Sequence, residues 1–312
     1  MRDELSGLSA LLAVAEQRSF TAAAARLGIT PSAVSQTVAA LEQRLGVRLL
    51  QRTTRSVGLT EAGARFVARL RPALGEVRSA LDALSEQRDQ PAGTLRLTVP
   101  RAACPLVIEP LLSGFLAAYP EIVLDLTLSD GLNDIVAEGF DAGIRLGETL
   151  DRDMVALRVS ADERSAVVGA PDYFRVHGKP QHPRELHAHS CINYRLVTRG
   201  TVYRWEFSDG GQELEISVEG RLIVNDSALL LTAARQGLGL AYVLESNAAA
   251  DLAAGQLVRV LDQFCPPFPG FFLYYSSRTH LAPKLRALID FLKARRLRPR
   301  RGREPARAAA RK

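Results

Sequence analysis

Between residues 20 and 55 the apolar positions follow a helical period, break, and resume. Ala22, Ala24, Ala25 and Leu27 predict a short helix that Thr21 can cap, and Gly28 stands where the chain must leave a helix in a left-handed conformation. Thr30 as N-cap and Pro31 at the first helical position predict a second helix at once, with Val34, Val38, Leu41 and Leu45 as its buried stripe. The opposite face carries Ser32, Ala33, Ser35, Gln36 and Thr37, a slim polar leading end of the kind that lies against base edges in a DNA major groove. Leu49 and Leu50 then lead into a short hairpin over 51–60, with Arg52 and Arg55 near its tip and Thr53 and Thr54 between them. Arginines there reach phosphates or a narrow minor groove. An ordinary alanine-rich helical hairpin, with the two arginines merely solvated, is the plain alternative.

Thr60 can cap a long helix in which Val67, Leu70, Leu74, Val77, Leu81 and Leu84 alternate steps of three and four, the spacing of a coiled-coil seam. From 62 to 88 that helix is about 40 Å long at 1.5 Å per residue, more than a small headpiece can cover, so a partner helix is expected. Packing onto the same chain is the alternative, and Pro72 interrupts the pattern. After the hinge-like Pro91-Ala92-Gly93 the period changes. A strand is predicted at 95–99, an apolar helix at 103–118, a strand at 122–128, a helix around 132–138 and a strand at 142–146. Further strand-like stretches fall at 165–168, 221–224, 239–244 and 271–275, and a last helix holds Leu285, Leu288, Ile289 and Leu292. This alternation is that of an α/β sheet.

The first 63 residues resemble the winged helix-turn-helix of LysR-type transcriptional regulators. The marks are Ser19-Phe20-Thr21 with its alanines, the run Thr30 to Gln36, Leu41-Glu42, Leu45-Gly46, Leu49 with Arg52, and Leu59-Thr60-Glu61-Ala62-Gly63. The resemblance implies that Ser32, Ser35, Gln36 and Thr37 approach bases, that Ser19 and Thr21 approach phosphate, and that Arg52 and its neighbours form the wing. It also implies pairing through the long helix, as a homodimer or homotetramer, on a twofold-related double-stranded promoter site. RNA polymerase is an expected partner. The fold expected is multidomain: an all-α winged helix-turn-helix with a long linker helix, followed by an α/β effector domain of two lobes like the type 2 periplasmic binding proteins. The expected boundaries are 1–62 for the headpiece, 63–91 for the linker, and 92–294 for the effector domain. Lobe I comprises 92–162 and 266–294, and lobe II 163–265.

In open α/β sheets ligands bind beyond the carboxyl ends of the strands. That rule selects Pro100, Arg101, Ala102, Ser129, Asp130 and Arg145 from one lobe, and Asn193, Arg195, Asn225, Asp226 and Ser227 from the other. These positions match the family's effector cleft. Arg101, Arg145 and Arg195 point to a small carboxylate-bearing effector, with an ion pair of Arg145 to Asp141 or Glu148 as the structural alternative.

Charge qualifies the picture. The formal net charge is +6, but residues 1–65 carry +3, 66–93 balance, 94–293 carry −5 and 294–312 carry +8. The basicity belongs mostly to the segment 295–312, whose composition is that of a solvated, disordered tail. Cys104, Cys191 and Cys265 are far apart in sequence and read as free thiols of a reducing compartment rather than a disulfide set. His187, His189 and Cys191 alternate as metal ligands on one strand face would, but no fourth ligand follows with recognised spacing. Neither a nucleophile elbow, a P-loop nor a dinucleotide fingerprint is present, so neither catalysis nor a cofactor is expected. No targeting segment or apolar run of membrane-spanning length is read, so a cytoplasmic protein without membrane contact is expected. A solute-binding module with an N-terminal helical dimerisation element is the competing function.

Overall fold

The computed structural model of the chain describes residues 2–52, 57–84, 91–131, 134–136, 138–147, 154–276 and 281–296. The side chains of residues 2–6, 52, 76, 78–84 and 296 also lie outside the description. The chain divides into two compact units, the first being Met1–Leu84 with Asn133–Phe140 and the second Ser85–Leu132 with Asp141–Lys312.

The first unit is a helical headpiece: α1 (Arg2–Gln17), α2 (Phe20–Leu27), α3 (Pro31–Leu45), the hairpin β1 (Leu50–Arg52) and β2 (Val57–Leu59), and α4 (Glu61–Leu84). Helix α1 is an addition to the sequence reading, and its Ala10, Leu11, Ala13 and Val14 are buried against α2 and α3. Arg18, with φ 49°, turns the chain from α1 into α2. The cap of α2 is Ser19, whose hydroxyl accepts from Ala22 N at 3.3 Å, two residues before the expected Thr21, which lies inside the helix. Ala23 and Ala24 are the buried alanines, and Ala25 is exposed. Val34, Val38 and Leu41 are buried as expected, but Leu45 is 43% exposed because α3 runs past the headpiece core.

Helix α4 corrects the seam. Val67 and Leu70 are buried in the headpiece core and Leu74 packs against it, so the first half of the stripe is satisfied by its own chain. Val77 is 43% exposed, and the side chains of Leu81 and Leu84 lie outside the described residues. Pro72 is accommodated within the helix. Thr60 caps α4, accepting from Gly63 N at 2.9 Å while donating to Arg48 O at 2.8 Å. At Gly63 a Cβ would collide with the Leu49 carbonyl, so glycine is what lets α4 start against the wing. Glu16 ties the bundle together by pairing with Arg26 of α2 and with Arg71 of α4.

The second unit has two sheets. One contains β3 (Gly93–Val99), β4 (Ile122–Leu128), β5 (Ala142–Leu146), β6 (Met154–Arg158) and β15 (Phe271–Ser276) in the order β4-β3-β5-β15-β6. The β3 strand is parallel to β4 and β5, and β15 is antiparallel to β5 and β6. This is lobe I. Its core of Leu95, Leu97, Val107, Leu111, Phe115, Phe271 and Leu273 is closed by α9 (Pro283–Arg296) through Leu285, Leu288 and Ile289. The apolar helix expected over 103–118 is instead a chain of short turns, 3-10 at Arg101–Ala103, π at Cys104–Ile108 and 3-10 at Glu109–Leu111, before α5 (Leu112–Ala118). Pro105 and Pro110 lack the N–H groups that a continuous helix would use. The stretch Arg101–Ala118 is long and apolar enough to cross a membrane by composition, but it supplies part of the lobe I core. The helix expected around 132–138 is also replaced: its described residues make turns, closed by Glu138 N to Asp134 O at 2.9 Å and Phe140 N to Ile135 O at 2.8 Å.

The other sheet, lobe II, contains β7 (Glu163–Gly169), β8 (Cys191–Tyr194), β11 (Leu222–Val224), β12 (Leu240–Leu244) and β13 (Val258–Val260) in the order β11-β8-β12-β7-β13. One face is covered by α7 (Ser227–Arg235) and α8 (Glu245–Ala253). The other is covered by α6 (Pro171–His177) and the hairpin β9 (Trp205–Asp209) and β10 (Gln212–Ile216). The short β14 (Pro267–Phe268) pairs with β7. Two segments link the lobes side by side, Phe271 N donating to Ser160 Oγ at 2.7 Å. A Cβ at Gly270 would collide with the Ala161 carbonyl oxygen.

Candidate nucleic-acid interface and ligand cleft

The headpiece presents α3 end-on. Gly28 (φ 66°, ψ 29°) turns the chain sharply out of α2, and Thr30 starts α3 by accepting from Ala33 N at 3.2 Å. Burial of Val34 and Val38 fixes the rotation of α3, which leaves Pro31, Ser32 and Gln36 exposed and Ala33, Ser35 and Thr37 half-buried beside them. Thr30 and Ser32 share a hydroxyl contact at 3.0 Å, and Thr21 is exposed. A capping serine such as Ser19 uses an oxygen lone pair on the helix and keeps its O–H free as a donor.

The wing is anchored from the recognition helix. Glu42 of α3 accepts from Leu49 N at 2.7 Å and Leu50 N at 2.8 Å, while Leu50 faces Leu59 and Arg52 faces Val57 across the antiparallel pair. The side chain of Arg52 and all of Thr53, Thr54 and Arg55 lie outside the described residues.

The candidate ligand cleft lies within the second unit, where the carboxyl ends of the strands of its two lobes meet. From lobe I, Pro100 precedes the turn that holds Arg101 and half-buried Ala102. Ser129 N donates to Val99 O at 2.9 Å, and Ser129 Oγ accepts from Gly131 N at 3.2 Å. Asp130 is the hub. Its Oδ1 accepts from Arg101 N at 2.8 Å, and its Oδ2 lies 3.2 Å from Arg101 Nη1 and 2.9 Å from the Tyr194 hydroxyl of lobe II. Arg101 also crosses the cleft, with Nε 3.6 Å from Asp226 Oδ2. Asp226 spends its other oxygen capping α7, accepting from Leu229 N at 2.8 Å, so Ser227 is the first residue of that helix. The carbonyl of Asn225 accepts from Tyr194 at 3.4 Å. Burial and the neighbouring negative Asp130 both push the Tyr194 phenol well above its ordinary range, which keeps it a donor.

Three expected cleft residues do other things. Arg145 donates to the Tyr274 hydroxyl at 2.8 Å and to Gly131 O at 3.0 Å, so it positions the 129–131 loop, while Glu148, one of the acidic partners weighed above, lies outside the described residues. Arg195 folds back onto Gly200 O at 2.8 Å. Asn193 is on the wrong face of β8: it is 4% exposed and lines a groove within lobe II, whereas Tyr194, one residue on, reaches the cleft. Alternation along a strand turns successive side chains to opposite faces, so Tyr194, between the two expected residues, is the one that meets Asp130. Cys191 likewise points into the lobe II core, its thiol pushed up to about 12 by burial, and does not share a ligating face with His187 and His189.

Comparison with known proteins matches both parts. Residues 5–64 fit the model of the bacterial regulatory helix-turn-helix protein, lysR family, and residues 88–296 fit that of the LysR substrate binding domain. The chain is 44% identical over 292 residues to the HTH-type transcriptional regulator PgrR of Escherichia coli, covering 94% of this chain and 98% of that protein. Among solved structures it resembles full-length AphB, a virulence activator of Vibrio cholerae, with a TM-score of 0.67 and 26% identity over 93% of this chain and 98% of that one. It also resembles CrgA of Neisseria meningitidis, with a TM-score of 0.59 and 29% identity over the same shares. A capped recognition helix, a wing and a two-lobed domain with a polar cleft therefore have one common explanation: the chain belongs to the LysR family of DNA-binding transcriptional regulators, with an effector-binding domain.

Proposed function

We propose that α3 enters the major groove with Thr30, Pro31, Ser32, Ala33, Ser35, Gln36 and Thr37 against base edges. Ser19 and Thr21 hold phosphate, and the wing residues Arg52 to Arg55 grip the flanking backbone. A homodimer or homotetramer presents two such heads to a twofold-related promoter site in the cytoplasm, where RNA polymerase is the downstream partner. The chain carries out no catalysis. The effector is a small carboxylate that also bears a hydrogen-bond donor. Its carboxylate takes Arg101 in place of Asp226, and its donor takes the carboxylate so released. The observation that supports this reading is the Arg101 guanidinium, which lies between a carboxylate of each lobe, at 3.2 Å from Asp130 and 3.6 Å from Asp226. Exchanging one of those pairs for a ligand changes what holds the lobes together, which is the differential contact that a regulatory ligand needs.

Fluorescence anisotropy with promoter DNA tests both halves. Gln36→Ala is expected to relax base preference at one position per half-site by about 1–3 kcal/mol. Arg101→Ala is expected to keep DNA affinity and lose the effector response. An undiminished response in Arg101→Ala, or unchanged base preference in Gln36→Ala, would overturn the corresponding assignment.

A further inference from the structure

Lobe II holds a second concavity, apart from the cleft. It is an open groove of about 790 Å³ lined by the segments that precede β8 and β11, by the approach to β9, and by side chains of those two strands. Its lining comes wholly from lobe II, toward the amino ends of β8 and β11, while the cleft uses their carboxyl ends.

Asn193 lines the groove, is 4% exposed, and its Oδ1 is shielded from solvent without a hydrogen-bond partner. A buried amide left unsatisfied is costly, and a site that binds a ligand is one place where such a group persists. Ile223, opposite Asn193 in the β8–β11 register, is 44% exposed, and Val202 on the other side is 37% exposed, which gives the groove an apolar surface open to water. On the rim, exposed Arg221 makes no side-chain hydrogen bond or ion pair among the described residues. An unpaired guanidinium, an orphan amide oxygen and an apolar floor share one concavity.

We propose that this groove is a second ligand site, for a small carboxylate carrying an amide next to the acid and an apolar body. The carboxylate pairs with Arg221, the amide satisfies Asn193, and the apolar part covers Ile223 and Val202. The site needs nothing from Arg101 or the cleft.

The chain supplies its own reporter. Trp205 is its single tryptophan, is 1% exposed, and follows Arg204 of the groove wall. Titration of the full chain with hippurate, which has a carboxylate, one amide and a phenyl ring, is expected to change Trp205 emission saturably. Phenylacetate, which lacks the amide, is expected to bind about tenfold more weakly. Arg221→Glu is expected to weaken hippurate by about tenfold or more, and Arg101→Ala to leave it unchanged. The proposal is overturned if hippurate gives no saturable change, if phenylacetate binds as well as hippurate, if Arg221→Glu binds like the wild type, or if Arg101→Ala abolishes binding. The last result would move the ligand to the cleft.

Discussion

The hydroxyl of Tyr194 donates to the carboxylate of Asp130 at 2.9 Å, and these two residues belong to different lobes. The bond is charge-assisted, and hydrogen bonds to charged groups contribute about 1.5–3 kcal/mol. Tyr194→Phe is therefore expected to shift the lobes toward a more open arrangement by about tenfold or more in population. Spin labels at exposed Leu116 in lobe I and Val176 in lobe II read the separation directly. Distance distributions that superimpose on those of the wild type would mean that this bond does not hold the lobes.

Glu163 gives a pH-dependent test. It is 8% exposed, accepts from Ser246 Oγ at 2.7 Å, and burial raises its pKa above the ordinary carboxylate value. The folded state thus binds this proton more tightly than the unfolded chain. The resulting penalty is absent below the unfolded pKa and grows as pH rises through the folded one. Glu163→Gln is expected to melt higher than the wild type at pH 7, with the difference vanishing near about pH 4. Equal differences at both pH values in thermal denaturation would refute this.

Gly63 tests the joint between wing and linker. Because a Cβ there meets the backbone of Leu49 rather than a flexible side chain, Gly63→Ala is expected to destabilise the headpiece by about 1–3 kcal/mol. Urea denaturation followed by helical circular dichroism measures it, and a loss below about 0.5 kcal/mol would show that the wing shifts freely.

Helix α4 offers a paired experiment. Leu70→Ala, in the headpiece core, is expected to cost about 2–5 kcal/mol of stability. Val77→Glu, on the exposed turn that follows, is expected to leave the helical signal intact and weaken self-association about tenfold or more in sedimentation. Unchanged assembly of the Val77 variant would place the interface elsewhere.

The recognition unit was legible in sequence because its signals are local: Gly28, Thr30, Pro31 and Gly46 each dictate the backbone within a few residues. Helix α1 was not, since it carries no N-cap signature of comparable strength. Several strands of the second unit were legible from alternation, and β4 and β5 fall where it puts them, but β6, the β9–β10 hairpin and β13 were not read. The segment 101–118 was misread because apolar content alone does not reveal that two prolines divide the ladder. Topology picks out the loops that carry Arg101, Asp130 and Asp226, but not Tyr194, the side chain that bonds across them. Which face Tyr194 presents depends on the parity of a strand whose ends sequence fixes only to within a residue or two. Composition cannot show that the Arg145 and Arg195 guanidinium groups also donate to a hydroxyl or carbonyl of the same chain.

The change in burial along α4, from Val67 and Leu70 inside the headpiece to Val77 in solvent, separates two sets of positions along one helix. A substitution in the first turns is expected to alter whether a head exists at all, and one at Val77 only how heads are counted and spaced. Evolution can therefore retune the length of DNA such a regulator spans while leaving the letters it reads untouched.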